Sequence, residues 1–126
     1  MSTEPARHDM HATPEDYASV IVDAITTPIG DYGGFAAVVG LYDKLHPRAQ
    51  RTMRLGVVIA MRRLEDRPGA LADLIHVATN REMYDEDIRC VVNEFRRVND
   101  ARVQREAENY AVRRAFDQFS LHVFER

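Results

Sequence analysis

From Ala70 to Arg126 the chain contains neither glycine nor proline. These are the two residues that most readily end a helix, so nothing in that stretch compels a helix to stop. A helix running unbroken from Asp85 to about Phe119 is on the order of 50 Å long at 1.5 Å per residue, which exceeds the width of a compact domain of this size. Two outcomes resolve the conflict. In the first, Asn99-Asp100 interrupts the helix and Asp100 caps a sixth one; the sequence favours this break. In the second, the polar middle from Arg102 to Asn109 protrudes and requires a partner. Either way the closing segment, with Phe116, Phe119 and Phe124, is too apolar for a free tail. It is expected to pack on this core or on another chain.

Upstream the punctuation is dense. Thr13 followed by Pro14, Glu15 and Asp16 combines a capping residue, proline at the first helical position and acids in the first turn. Tyr17, Val20, Ile21, Ala24 and Ile25 continue it at helical spacing. The β-branched run Ser19 to Val22 also suits a strand, but it has no sheet to join. A second helix is predicted from about Gly34 to Leu45, a third from about Pro47 to Asp66, and a fourth after Arg67-Pro68-Gly69 with Leu71, Leu74, Ile75 and Ala78 inward. Asp85-Glu86-Asp87 opens the next helix with negative charge at its N-terminus. The first dozen residues read as a disordered tail, followed by one all-α domain over 13–126.

An internal similarity runs through this pattern. Gly56 to Asp66 returns as Cys90 to Asp100, 34 residues later. Val57-Val58, Arg62-Arg63 and Asp66 match Val91-Val92, Arg96-Arg97 and Asp100, with Met61/Phe95 and Leu64/Val98 as apolar substitutes. The preceding helices align too, so the sequence suggests a duplicated helical hairpin over 34–66 and 69–100. The alternative is coincidence, because any two amphipathic helices share several apolar positions. None of the tetratricopeptide, ankyrin or leucine-rich signature positions occurs.

At 126 residues the chain can bury a core without disulfide or metal. No apolar run approaches the ~18 residues a membrane span needs, and no signal core stands at the N-terminus. The single Cys90 excludes an internal disulfide and fits a reducing compartment, so a cytoplasmic location is expected. A net charge of −3 supplies no global field to recruit nucleic acid.

Candidate chemistry is sparse. Gly33-Gly34 at a helix entrance could present N–H groups to a phosphate, but Gly30-Asp31-Tyr32-Gly33-Gly34 places an acid where an anion would sit, and no Walker glycine loop occurs. The pairs Asp43/His46 and Asp73/His76 have the i, i+3 spacing of bundle metal sites, yet they do not face one shared core, so no metal or cofactor is expected. Cys90 lacks an activating neighbour, and there is no Gly-x-Ser-x-Gly elbow. The arginine pairs Arg62-Arg63 and Arg96-Arg97 could form a phosphate-binding ridge, but Glu65, Asp66, Glu94 and Asp100 lie close enough to pair with them.

What remains is surplus apolar surface. In the third helix Val57, Val58, Met61 and Leu64 form one stripe, while Leu55 and Ile59 lie nearly opposite. Leu55 and Ile59, flanked by Arg51, Arg62 and Arg63, therefore make a candidate partner face with an arginine rim. In the second copy Arg89 and Asn93 deny that face. The functional expectation is a non-enzymatic interaction subunit or regulator that binds a protein partner or itself. The alternatives are a nucleic-acid-associated protein and a small helical metalloenzyme.

Overall fold

The first turn of the first helix is closed by a reciprocal pair of hydrogen bonds. Asp16 N donates to Thr13 Oγ1 at 3.1 Å and Thr13 N donates to Asp16 Oδ2 at 2.9 Å, a capping box with Pro14 at the first helical position. The same arrangement of proline opens the third and fourth helices. A computed structural model of the chain describes residues 12–27 and 33–124, with the side chains of 120–124 excepted. The expected N-terminal tail, apart from Ala12, and residues 28–32 of the glycine-rich loop lie outside the described residues.

The order is α1 (Pro14–Thr26), α2 (Gly33–Lys44), α3 (Pro47–Arg63), α4 (Pro68–Asn80), a 3₁₀ turn (Glu86–Ile88) and α5 (Arg89–Phe124). No strand occurs among the described residues, and the fold is all-α. The run Ser19 to Val22 is helical, as the Thr13 cap requires.

α3 is the central element and α1 is its chief partner. The closeness of that crossing depends on Gly56. A Cβ at this position would stand 2.7 Å from the Pro14 carbonyl oxygen and 2.8 Å from Tyr17 Cβ. Tyr17, Ala18 and Ile21 of α1 and Met53, Val57, Ala60 and Met61 of α3 are buried in one cluster with Val38, Leu45, Leu64, Leu71, Leu74, Ile75, Met83 and Val92. Arg54 latches three elements together around this core. Its Nε donates to Asp85 Oδ1 at 2.7 Å and its Nη1 to Tyr42 Oη at 3.0 Å. The bond to Tyr42, with that to Asp85, raises the guanidinium pKa further above its ordinary value.

α4 ends in a Schellman turn. Met83 N donates to Ala78 O at 2.8 Å and Glu82 N to Thr79 O at 3.4 Å. Glu82 occupies the left-handed position with φ 52°, where glycine is the usual residue. Met83 follows it into the core.

The favoured break at Asn99-Asp100 does not occur: α5 is continuous through both residues. Asn99 disfavours helices when its amide competes for local backbone groups. Here its Nδ2 donates instead to Pro68 O of α4 at 2.9 Å, so the side chain pins α5 to its neighbour. Asn99 Oδ1 is shut off from solvent with no hydrogen-bond partner. Pairs at helical spacing support the rest of α5, including Arg97–Glu94, Arg102–Glu106 and Gln104–Glu108. Its 36 residues extend about 54 Å at 1.5 Å per residue.

The two stretches of the internal similarity occupy different environments. Gly56 is buried in the α1–α3 crossing, whereas its counterpart Cys90 is exposed. Val57 is buried and Val91 exposed, and only the second stretch continues into a projecting helix.

Candidate functional site

Two features of α5 stand out: a groove along its first half and an uncovered second half. The groove has a volume of about 710 Å³ and lies between α5 and the corner joining α3 to α4. Leu71, Val91, Phe95 and Val98 give it an apolar floor, and Glu65, Asp66, Glu94 and Arg102 contribute charge. Leu71 is anchored in the core, and Phe95 packs against it while remaining partly exposed. Val98 leaves 51% of its surface in solvent. Cys90, the free thiol, also lines the groove.

The electrostatics of the groove are uneven. Glu94 is paired, accepting from Arg97 Nε at 3.1 Å and Arg97 Nη2 at 2.5 Å, and this bond holds its carboxyl below the usual glutamate range. Arg102 donates through Nη1 to the Glu65 carbonyl and through Nε to Glu106 at 3.3 Å. The Glu65 and Asp66 carboxylates have no ion-pair partner among the described residues.

Beyond Arg102, every residue from 103 to 119 is exposed. No other element of the described chain covers this part of the helix. Val112, Phe116 and Phe119 show 69%, 67% and 67% of their surface to solvent. Of the predicted anchors, Phe116 and Phe119 thus stand on the projecting half, and the side chain of Phe124 lies outside the described residues.

The other predicted partner face divides. Leu55 is exposed, but Ile59 is partly buried and packs against the core, so the two do not form one exposed apolar face. Arg51 and Arg62 are exposed, and Arg63 Nη1 donates to Ser19 Oγ at 2.9 Å. In the second pair, Arg96 reaches Thr79 Oγ1 at 2.7 Å and Asn93 Oδ1 at 3.4 Å, while Arg97 is held by Glu94. Neither member of that pair is a free ridge residue. Glu65 and Asp66, expected to neutralise the first pair, do not do so.

Three of the four members of the aspartate–histidine pairs bond elsewhere. Asp43 accepts from Arg81 at 2.5 Å, His46 Nδ1 caps α3 by accepting from Arg48 N at 3.3 Å, and His76 bonds Asn80 at 3.1 Å. Among the described residues no group of three or more His, Cys, Asp or Glu side chains converges on a metal position. No helix among them is long and apolar enough to cross a membrane.

The sequence reading missed the groove. Its signal was the 3–4 spacing of Val91, Phe95 and Val98 on a helix that carries a second buried stripe, Val92 and Asn99, one residue further round. Comparison with protein-family models, with curated proteins and with solved structures finds no match to this chain.

Proposed function

We propose that the protein is a non-enzymatic helical interaction subunit, and that its docking face is α5: the apolar groove on the first half and the uncovered stripe on the second. The observation that carries this reading is Phe116 and Phe119 standing on a helix that no other described element covers. Exposed aromatic side chains dominate the energetics of protein interfaces because they bring large apolar area at little entropic cost. A helical segment of this length also gains little stability from its own hydrogen bonds in water, so a covering partner stabilises the segment as well as the contact.

Leu55 with Arg51 and Arg62 is the lesser candidate. A single exposed leucine is ordinary protein surface, and Ile59 belongs to the edge of the core.

The test is a double variant, Phe116→Asp with Phe119→Asp, in the full chain. Self-association is measured by sedimentation, and partner capture from the native host's extract by affinity purification. The wild type is expected to associate and the variant to lose that association while its α1–α4 core still unfolds in one cooperative transition, at a somewhat lower temperature because the covering partner no longer stabilises α5. A wild type that neither self-associates nor captures a partner contradicts it, as does association that survives the double substitution.

A further inference from the structure

The groove floor and the projecting stripe are the same face of one helix. Steps of four and three lead from Val91 through Phe95 and Val98 to Arg102, all of which line the groove. The same steps continue through Arg105 and Asn109 to Val112, Phe116 and Phe119 on the uncovered half. This 3–4 alternation is the seam of a two-stranded coiled coil, apolar at both ends and polar at its centre.

Resting on the docking face proposed above, we infer that the occupant of the groove is the projecting half of α5 from a second copy of this chain, packed antiparallel about a two-fold axis at the level of Ala107. Reversing one helix sets each 'a' position of the seam opposite a 'd' position. Phe95 then meets Phe119 of the second copy, Val98 meets Phe116, Arg102 meets Val112, and Arg105 meets Asn109. The pattern is its own complement, as an isologous dimer requires. A parallel pair in register stacks Arg102 on Arg102 and Arg105 on Arg105 in the seam, burying like charges against each other.

The charges agree with the antiparallel register. Arg113 flanks the stripe on the side that faces the α3–α4 corner of the second copy, where Glu65 and Asp66 have no ion-pair partner among the described residues. Arg113 is itself without an ion-pair partner there. Size agrees as well: seam and flanking positions over this length come to about 20 residues per partner, the number a stable interface of about 800 Å² per side contains. The two domains do not collide, because they sit at opposite ends of the pair, about 36 Å apart along the axis at 1.5 Å per residue.

The experiment uses the full chain in a Cys90→Ser background. Ala101 and Ala115 are exposed positions that flank the seam and face each other across the antiparallel pair. Ala101→Cys and Ala115→Cys proteins, mixed and oxidised, are expected to form a heterodimeric disulfide, while neither cross-links alone. Phe119→Asp is expected to raise the dimer dissociation constant by about 100-fold or more, because the two-fold pair loses a buried aromatic contact twice. Three results overturn the inference: homodimeric disulfides of Ala101→Cys, a dimer insensitive to Phe119→Asp, or a wild type that remains monomeric. A monomer that still captures a partner through Phe116 and Phe119 removes the second copy and leaves the docking face standing. A monomer that captures nothing removes both.

Discussion

Gly56→Ala is the sharpest perturbation of the framework that carries α5. In an open helix interior the change stabilises by about 1 kcal/mol, because alanine loses less backbone entropy. At Gly56 the new methyl would stand 2.7 Å from the Pro14 carbonyl oxygen, 2.8 Å from Tyr17 Cβ and 3.2 Å from Ala18 N. Two of these are backbone atoms and the third is attached directly to backbone, so none can swing aside. α1 must move away from α3 by several tenths of an ångström, and this crossing is the main helix contact of the core. Overpacking of this kind costs about 1–3 kcal/mol. With the upper end of that range, justified by the rigid neighbours, the net loss is about 2 kcal/mol. For a chain of this length that lowers Tm by roughly 6–10 °C. Gly40→Ala is the internal control, since a Cβ there meets nothing within 4 Å; it should raise Tm by a few degrees. Thermal unfolding followed by circular dichroism, at one fixed protein concentration, reads both. A Gly56→Ala protein as stable as wild type refutes the close α1–α3 crossing, and so refutes the reason given for glycine there.

Other expectations follow from individual contacts. Glu82→Gly relieves a non-glycine residue at φ 52° and should stabilise by about 0.5–1 kcal/mol in denaturant titration. Arg54→Ala removes the bonds to Asp85 and Tyr42 from a partly exposed site and should cost about 1–2 kcal/mol, with Tyr42→Phe costing less because only one bond is lost. The Glu94 carboxyl titrates below the ordinary glutamate range because Arg97 is bonded to it. The small stabilising effect of this pair is present above that range and is lost as pH falls through the lowered value. Titration of Glu94 by NMR should show its pKa return towards the ordinary range in Arg97→Gln, and an unmoved value contradicts the pairing.

The sequence made the frame legible where local chemistry decides. Thr13-Pro14 and His46-Pro47 mark helix starts because proline is tolerated only in the first turn, and both fall at observed boundaries; Arg67-Pro68-Gly69 marks the close of the third helix, and Pro68 and Gly69 prove to be the first turn of the fourth. The break at Asn99 failed for a non-local reason. Whether an asparagine disrupts a helix depends on what its amide bonds to, and the Pro68 carbonyl lies 31 residues away in sequence. The internal similarity was visible but did not predict environment: α3 buries a broad face from Ala49 to Met61, while the described residues of α5 bury only Val92 and Asn99. Matched residues such as Val57 and Val91 therefore meet different surroundings. Phe116 and Phe119 stand out in the sequence as candidate anchors because they are aromatic residues near the end of a long helix, and both are exposed. The proposed seam joining them to Phe95 and Val98 is obscured by Arg102, Arg105 and Asn109, which interrupt its apolar character without interrupting its spacing.

The mass of the chain in solution tests most directly what covers α5. Sedimentation equilibrium of the full chain across micromolar concentrations should give twice the 14.4 kDa of one chain. The Phe119→Asp variant should return to the single-chain mass with its helical content largely kept. A wild type that sediments as a single chain throughout, or a variant that still sediments as a dimer, contradicts the account.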